Sequence, residues 1–258
     1  MQNALLVGLS RQMSLSHQMD ILANNIANID TTGFKADTPV FSEYLMPGAS
    51  DGDFSGKDNR ISFVQESGTW IDFSPGTMQR TGDPLDVAIN GKGFFAIQTN
   101  RGQRYTRNGA FAINAAGQLV TSAGDTVLGT TGPINFAPTD RNIIISGNGT
   151  ISTQDGNTTQ SVFRGQLQLA DFDNPQQMQK DGGSLFQAPP EANQKQVAPG
   201  TAVVQGSIEK SNVEPIMEMT RMIAITRSYS DVASILQQQG ELRRNSLNQL
   251  AQATGTSG

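Results

Sequence analysis

The 258 residues carry 18 basic and 23 acidic side chains, a net charge of −5, 36% apolar residues and no cysteine. This content supports one or two globular domains with a real core and excludes a fibrous chain. The acidic balance argues against nucleic-acid binding, the lack of cysteine excludes disulfides and thiolate metal sites, and no apolar run reaches the roughly 18 residues that cross a bilayer.

Residues 1–32 predict a long N-terminal helix. Apolar side chains recur at heptad spacing from Leu5 to Ile29, with weak positions at Gly8 and Gln12. Because the other faces carry mostly amides and hydroxyls rather than charges, we expect them to contact protein rather than water. The short apolar run ALLVGL has no basic residue before it and no clear cleavage site after it, so we expect no cleavable secretory signal.

Three asparagines fall within the stretch LANNIANIDTTGFK, residues 22–35: Asn24, Asn25 and Asn28. Asparagine is a mediocre helix former because its amide competes for backbone hydrogen bonds. Something other than the stability of the free chain must therefore favour it here. Gly33 stands where a helix C-terminus needs a positive φ, and Phe34 is expected to act as a packing anchor.

Residues 33–75 are interpreted as an extended connector. The stretch ASDGDFSGKDN, residues 49–59, has the composition of an acidic loop. The stretches ISFVQ and GTWIDFSPGTMQ, which follow it, read as extended chain with apolar anchors. We therefore expect no independent domain here.

Residues 76–205 predict a compact antiparallel β-domain. Leu85, Val87 and Ile89 alternate with polar residues and end at Asn90-Gly91, a strong hairpin signal, so GFFAIQ is expected to form the return strand. Further short strands follow at spacings of about 8 to 12 residues, separated by turns rich in Asn and Gly. This spacing favours a sandwich or a barrel-like domain.

Residues 206–258 predict a second long helix of about 35 residues, beginning near Asn212. Ser211 and Glu214 have the spacing of a capping box, and Pro215 is tolerated in a first helical turn. The predicted stripe consists of Met219, Met222, Thr226, Tyr229, Ala233, Leu236, Gly240, Arg243, Leu247 and Leu250, and is broadened by Ile216 and Ile223.

Few residues suggest chemistry. His17 is the only histidine and has no Ser-Asp pair nearby in sequence, so an ordinary helix residue is the better interpretation. Asp51 and Asp53 resemble the start of a calcium loop, but Ser62 stands where the bidentate Glu would be needed. Asp83 and Asp86 flank a predicted strand entry, where Asp usually serves turns. We therefore expect no catalytic, cofactor or metal site.

The apolar stripes of the two end helices admit two interpretations. They are either ordinary helices packed on the β-domain or adhesive helices that contact each other and other molecules. Their heptad spacing and their places at opposite ends of the chain favour the second interpretation. An enzyme acting on peptidoglycan and a phage-tail-like fibre protein remain alternatives for the whole chain.

Three regions, in this order along the chain, resemble the bacterial flagellar rod and hook proteins. LANNIANIDTTGFK resembles the family's N-terminal signature, and PLDVAINGKGFFAIQT, RYTRNGAF and GQLVTSAGDTVLG are similar to its central region. GSIEKSNVEPIMEMTRMIAITRSY resembles its C-terminal signature. The resemblance is poor only near 36–75 and 155–205.

Within that family, the chain is too short for a hook protein. Gly132-Pro133-Ile134 followed by NIIISGNGTIS resembles the proximal rod branch, and the distal rod branch is the nearest alternative. The resemblance implies an α+β fold in which the two terminal helices pair as a coiled-coil-like domain and the β-domain lies outside it.

The resemblance also implies function and partners. Copies of the helix pair would stack with other rod proteins, proximal and distal, into a drive shaft that spans the periplasm around an export channel. Subunits would reach it through the flagellar type III export apparatus. No cofactor and no nucleic acid is implied.

We predict that the subunit interface uses both helices and the bend after the first. Asn24 and Asn28, one turn apart, would set the register across it, with Ala23 allowing close approach. In the free monomer we predict a folded β-domain and mobile ends. The predicted interface residues are Leu15, Met19, Leu22, Ala23, Asn24, Asn25, Ile26, Asn28, Gly33, Phe34, Ser211, Asn212, Val213, Met219, Met222, Ile223, Tyr229 and Leu236.

Overall fold

The computed structural model describes residues 2–47, 60–155, 160–189, 194–195 and 200–255. The chain forms two compact units. The terminal unit comprises Met1–Ile26, Asp37–Trp70 and Glu214–Gly258, and the β unit comprises Ala27–Ala36 and Ile71–Val213. Long helices therefore combine with antiparallel strands, and the predicted α+β class is confirmed at that level. The acidic loop at 49–59 and its calcium-like Asp51 and Asp53 lie outside the described residues.

The terminal unit contains helix α1 (Gln2–Ala27), helix α2 (Pro215–Gly255) and strands β1 (Asp37–Pro47) and β2 (Arg60–Ile71). Strands β1 and β2 pair with each other in a two-stranded sheet. The stretch interpreted as an extended connector is thus extended, but its two strands pair with each other as a β-ribbon. No helix in the described part of the chain is long and apolar enough to cross a membrane.

Both helix boundaries differ from the prediction. Helix α1 ends at Ala27 rather than near residue 32, because Thr31 donates from its backbone N–H and its hydroxyl to Asn28 and closes a turn there. Helix α2 begins at Pro215, so the predicted capping box is wrong: Ser211 lies too far ahead to cap it. Its hydroxyl instead accepts from the N–H of Val213, a local turn.

Helices α1 and α2 touch at two described points. Leu236 lies directly over Gly8, where an added methyl group would come within 2.6 Å of its Cδ2 atom. The hydroxyl of Thr226 lies 3.9 Å from the sulfur of Met19. The contact residue on α1 rises from 8 to 19 while its partner on α2 falls from 236 to 226, so the helices run antiparallel where they meet. Gly8, a weak position in the predicted heptad, is the position that admits Leu236.

The described residues of the β unit form short strands and a 3₁₀ turn at Pro175–Gln177. The strands are β3 (Met78–Arg80), β4 (Val87–Asn90), β5 (Phe94–Thr99), β6 (Gly102–Thr106), β7 (Phe111–Ile113), β8 (Leu119–Thr121), β9 (Thr126–Gly129), β10 (Gly132–Pro133), β11 (Asp140–Ile145), β12 (Thr150–Asp155), β13 (Ser161–Gln166), β14 (Leu169–Phe172), β15 (Gln179–Lys180), β16 (Leu185–Gln187), β17 (Gln194–Lys195), β18 (Ala202–Gln205) and β19 (Ser207–Glu209).

The largest sheet runs in the order β15-β16-β6-β5-β9-β8-β7, with β10 beside β9, β14 beside β5 and β17 beside β14. Strands β11, β12 and β13 form a separate three-stranded sheet. Two short pairs, β18 with β4 and β19 with β3, tie the last strands of the unit to its first ones. The antiparallel β-domain predicted for residues 76–205 thus contains strands from Met78 to Glu209.

The predicted hairpin at Asn90-Gly91 is wrong. Strand β4 pairs with β18, with Ile89 opposite Val203, whereas β5 pairs with β6, β9 and β14. Gly91 and Gly93 both have positive φ, and the chain between them passes from one sheet to another. Leu85, Val87 and Ile89 do share one apolar cluster, as their alternation predicts.

Strand β5 is buried on both faces and divides the core in two. Phe95 and Ile97 lie in one apolar cluster, whereas Phe94 and Ala96 lie in a second. In the second cluster the ring of Phe94 meets that of Phe186 at 5.7 Å between centroids. The two-residue period of a strand explains this division, since successive side chains point to opposite faces.

Candidate assembly interface

Asn25 fastens the end of α1 to the start of β1. Its side-chain amide donates to the carbonyl of Asp37 at 2.8 Å, and its oxygen accepts from the Asp37 N–H at 2.9 Å. The side chain thus copies the two-bond pairing of a neighbouring strand, and Asn25 is buried. One of the three asparagines is therefore explained by the fold of the chain itself.

The other two asparagines lie differently. Asn28 follows the end of α1 and accepts from the hydroxyl of Thr31 at 3.0 Å, which shapes the turn. Asn24 is exposed on the last turn of the helix, as is Ala23. Their roles in setting the register between subunits stay predictions, and Asn24 is the better placed of the two to face another molecule.

A buried ion pair joins the chain after α1 to the chain before α2. The ammonium of Lys35 lies 2.5 Å from Oε1 of Glu209, and the two side chains are 0% and 2% exposed. Lys35 also donates to the carbonyl of Ser74 at 2.6 Å, and the same Glu209 oxygen accepts from the N–H of Gly76 at 3.0 Å. The hydrogen bonds partly offset the cost of removing both charges from water.

Arg107 completes this cluster, which we call the polar junction: Lys35, Arg107 and Glu209. Its guanidinium lies 3.6 Å from Oε2 of Glu209 and donates to the carbonyl of Gly91 at 2.7 Å. Burial lowers the pKa of Lys35 below its ordinary 10.5, against the opposing pull of Glu209. Burial likewise lowers the pKa of Arg107. One carboxylate thus faces two desolvated cations.

The bend after α1 is fitted closely to this junction. Gly33 has φ +68°, and its N–H donates to the carbonyl of Glu209 at 2.7 Å. A Cβ atom at Gly33 would lie 2.3 Å from the backbone nitrogen of Asn108, so only glycine fits. Phe34 is buried, and the Lys180 ammonium lies 4.3 Å from its ring centroid. The predicted positive φ and packing anchor are both present, although Gly33 lies six residues beyond the helix.

Asn212 holds the other arm of the junction. Its oxygen accepts from the N–H of Ala36 at 2.8 Å, and its amide donates to the carbonyl of Asp72 at 2.8 Å. Val213, the next residue, is buried. Ser211, Asn212 and Val213 were predicted at the subunit interface. In the single chain Asn212 cross-links two segments of the β unit, and Val213 packs within the chain.

On α1 the predicted interface residues divide by burial. Leu15 and Leu22 are buried within the single chain, and Met19 and Ile26 are half-buried. The apolar side chains that α1 leaves in solvent lie nearer its start, and Met13 is 67% exposed. They recur at spacings of three and four residues and so form one stripe: Leu6, Leu9 and Met13.

On α2 half-buried residues recur at heptad spacing, three and four residues apart, and Ser228, Ala233 and Gly240 are half-buried beside them. Met222, Tyr229 and Leu236 belong to this set as predicted, whereas Met219 and Ile223 are exposed. The exposed first turns form a second stripe, in which Ile216 is 80% and Ile223 is 56% exposed. The half-buried heptad set is Met222, Ile225, Tyr229, Val232, Leu236 and Gln239. The exposed stripe on α2 is Ile216, Met219 and Ile223.

The two aspartates considered for catalysis take part in local backbone structure. Asp83 accepts from the N–H of Leu85 at 2.9 Å, an Asx turn before β4. Asp86 forms a bridge with Ala110. His17 is half-buried on α1. The turn interpretation of the two aspartates is thus the one that the geometry supports.

Comparison with known proteins gives three family matches, one in each part of the chain. Residues 5–35 match the flagella basal body rod protein family, residues 88–153 the flagellar hook protein FlgE/F/G D1 domain, and residues 204–250 the flagellar basal body rod FlgEFG protein C-terminal region. The flagellar basal-body rod protein FlgF of Caulobacter vibrioides is 39% identical over 97% of this chain and 98% of its own length. The chain belongs to the flagellar basal-body rod protein family.

Other members of the rod family are similar over nearly as much of the chain. FlgF of Mesorhizobium japonicum is 32% identical over 92% of this chain and 93% of its own length. The flagellar basal-body rod protein FlgG of Bacillus subtilis is 31% identical over 96% of this chain and 99% of its own length. Both branches that the sequence suggested are therefore represented among the relatives.

Each of the three matched regions of this rod-family chain supplies one member of the polar junction. Lys35 lies at the end of the first, Arg107 within the second and Glu209 near the start of the third. Our interpretation of the sequence did not select these residues. The local pattern points the other way, because alternation around Ile208 in the strand Ser207–Glu209 would place Glu209 on the outer face, whereas Glu209 is buried.

Proposed function

We propose that this chain is a structural subunit of the flagellar basal-body rod and not an enzyme. The observation that carries the proposal is the pair of apolar stripes left in solvent on α1 and α2, inside the segments that match rod proteins at both ends of the chain. Contiguous exposed apolar patches on a soluble protein usually mark contacts with other molecules. The relatives that cover nearly all of the chain carry the names of rod proteins.

The helices are proposed to pair in a coiled-coil-like manner. Support comes from the contact of Leu236 with Gly8, from that of Thr226 with Met19, and from the heptad rhythm of half-buried residues along α2. The half-buried set would then face α1, which leaves the exposed stripes for neighbouring subunits. Stacked copies would line a central export channel, as the family resemblance implies.

We place the chain in the proximal rod. The FlgF of Caulobacter vibrioides, at 39% identity, supports this position over that of FlgG from Bacillus subtilis, at 31%. Its partners would be copies of itself, the other rod proteins and the type III export apparatus that delivers it. Distal rod protein is the second candidate, supported by the FlgG relatives.

The test replaces exposed residues, since Leu22 and Ile26 pack within the single chain and their loss would disturb its fold. A strain lacking the gene is complemented with Ile223→Asp, and basal bodies are purified and imaged. We expect a folded, exported protein that fails to build rods, because a carboxylate in an apolar contact costs several kcal/mol. Rods of normal length would contradict the proposal.

Gln238→Asp is the matched control. Gln238 is exposed on the same helix but lies outside both the apolar stripe and the half-buried set, so the same charge should leave motility intact. The gene deletion itself separates the two rod positions. Loss of a proximal subunit should leave no rod, whereas loss of a distal one should leave a short rod that ends early.

A further inference from the structure

Glu209 contacts every segment that meets at the polar junction. Its side chain binds Lys35 and the N–H of Gly76, it faces Arg107, and its carbonyl accepts from Gly33. The residue therefore joins the chain just after α1 to the chain just before α2, within the β unit.

The hydrogen bonds around Glu209 make the two arms depend on each other. The arm at 33–36 is held by the carbonyl of Glu209 and by the side-chain oxygen of Asn212, and the N–H of Asn212 lies 3.4 Å from the carbonyl of Phe34. If either arm leaves, the other loses these partners. A departing Glu209 would also leave Lys35 and Arg107 as buried cations without their counter-ion, which is strongly unfavourable.

Further attachments bind only one of the two arms. Lys180 donates to the carbonyl of Lys35 at 2.6 Å, and Ser184 donates to the carbonyl of Thr32 at 3.1 Å. The N–H of Lys210 donates to the carbonyl of Thr77 at 2.9 Å. These attachments hold each arm separately, so the hydrogen bonds between the arms and the buried charges are what oppose independent opening.

We propose that Glu209 couples the segment just after α1 to the segment just before α2, so that the arms at 33–36 and 209–213 open and close as one unit. Closure of either arm then becomes a condition for closure of the other. This coupling belongs to the isolated chain and does not rest on rod assembly, so its test can fail while the proposed function stands.

Native-state hydrogen exchange on the unaltered protein tests the coupling directly. The amides of Phe34 and Lys210 report the two arms, because Phe34 donates to the carbonyl of Thr31 and Lys210 to that of Thr77, neither of which belongs to the opposite arm. Coupling predicts that their opening equilibrium constants agree within about threefold and change together with added urea. Separate constants, with one arm opening at low urea while the other stays protected, would overturn the proposal.

A charge variant supplies the second test. Glu209→Gln keeps the shape of the side chain but leaves both cations uncompensated, so exchange should rise about tenfold or more in both arms while Phe95 and Ile97 of β5 stay protected. Faster exchange in one arm alone would refute the coupling. If the variant does not fold, the measurement on the unaltered protein still decides.

Lys210→Gln is the matched control for this variant. Lys210 lies 3.8 Å from Asp30 and links the same two stretches of chain, but the pair is exposed, at 41% and 93%. Exposed ion pairs contribute little to stability. The control should leave exchange in both arms within about twofold of the unaltered protein, and a rise equal to that of Glu209→Gln would show that any link between the stretches suffices and overturn the special role of Glu209.

Discussion

Lys35 and Glu209, 174 residues apart in sequence, form a buried ion pair with 2.5 Å between nitrogen and oxygen. Removing one partner should lower the free energy of unfolding far more than removing both. We expect Lys35→Met to lower the free energy of unfolding by about 3 to 5 kcal/mol, because Glu209 keeps its charge without its nearest partner. Urea denaturation followed by circular dichroism measures it.

The double variant Lys35→Met/Glu209→Met is the companion to this measurement. With both charges replaced by apolar side chains, part of the lost stability should return, although Arg107 remains. If the double variant loses more free energy of unfolding than the two single variants lose together, uncompensated charge is not the cause of the loss.

The stability of the protein should rise with pH in an alkaline window. Burial lowers the pKa of Lys35 below 10.5 in the native state, so between that lowered pKa and 10.5 the unfolded chain binds more protons than the folded chain. The free energy of unfolding therefore increases with pH across the window through this residue. The groups that act on it are Glu209, Arg107 and Asp72.

Thermal melts at a series of pH values measure this dependence. The comparison is between the unaltered protein and Lys35→Met, in which the contribution of the lysine is absent. The difference in stability between the two should shift in favour of the unaltered protein as pH rises. A difference that does not vary with pH would contradict the prediction.

Replacing Gly33 with alanine should destabilise the β unit. The substitution meets two obstacles, a positive φ and a Cβ atom that would lie 2.3 Å from the nitrogen of Asn108, a backbone atom that cannot turn aside. We expect a loss of about 2 to 4 kcal/mol, measured by urea denaturation.

Gly182→Ala separates those two causes. Gly182 has φ +82°, but no atom lies within 4 Å of the position of an added Cβ. It should therefore lose only about 1 kcal/mol, the conformational part of the cost. Equal losses at both glycines would show that the close approach at Gly33 is unimportant.

Asn25→Ala should loosen the terminal unit. It removes two hydrogen bonds and leaves the partly buried N–H and carbonyl of Asp37 without these partners, at a cost of about 1 to 3 kcal/mol. Hydrogen exchange at the amide of Asp37 and at the last turn of α1 should accelerate. Asn248→Ala, at an exposed position of α2 in the same unit, is expected to leave both unchanged.

The heptad rhythm and the alternation of apolar residues predicted the elements well. Long helices at both ends and a strand with Val87 and Ile89 on one face require only local periodicity, which a sequence carries directly. Which strands pair with each other cannot be read from local periodicity. Asn90-Gly91 favours a hairpin locally, but the pairing of β4 with β18 depends on residues more than a hundred positions away.

The polar junction was missed for the same reason. Lys35, Arg107 and Glu209 are ordinary charges in sequence, and only the fold makes them neighbours without water. Asn25 shows the reverse case. Its position in a helix was recognised as unfavourable, but the sequence could not distinguish a bond to Asp37 within the chain from a bond to another subunit.

The three charges of the junction also constrain how the protein is made. A ribosome releases Lys35 early, Arg107 midway and Glu209 only when most of the polypeptide has emerged. Until Glu209 is synthesised, burying the two cations would carry a severe desolvation cost. The stretch after α1 therefore cannot pack in its native position before then. During synthesis, the segment that follows the N-terminal helix therefore stays unpacked until the C-terminal part of the chain is nearly complete.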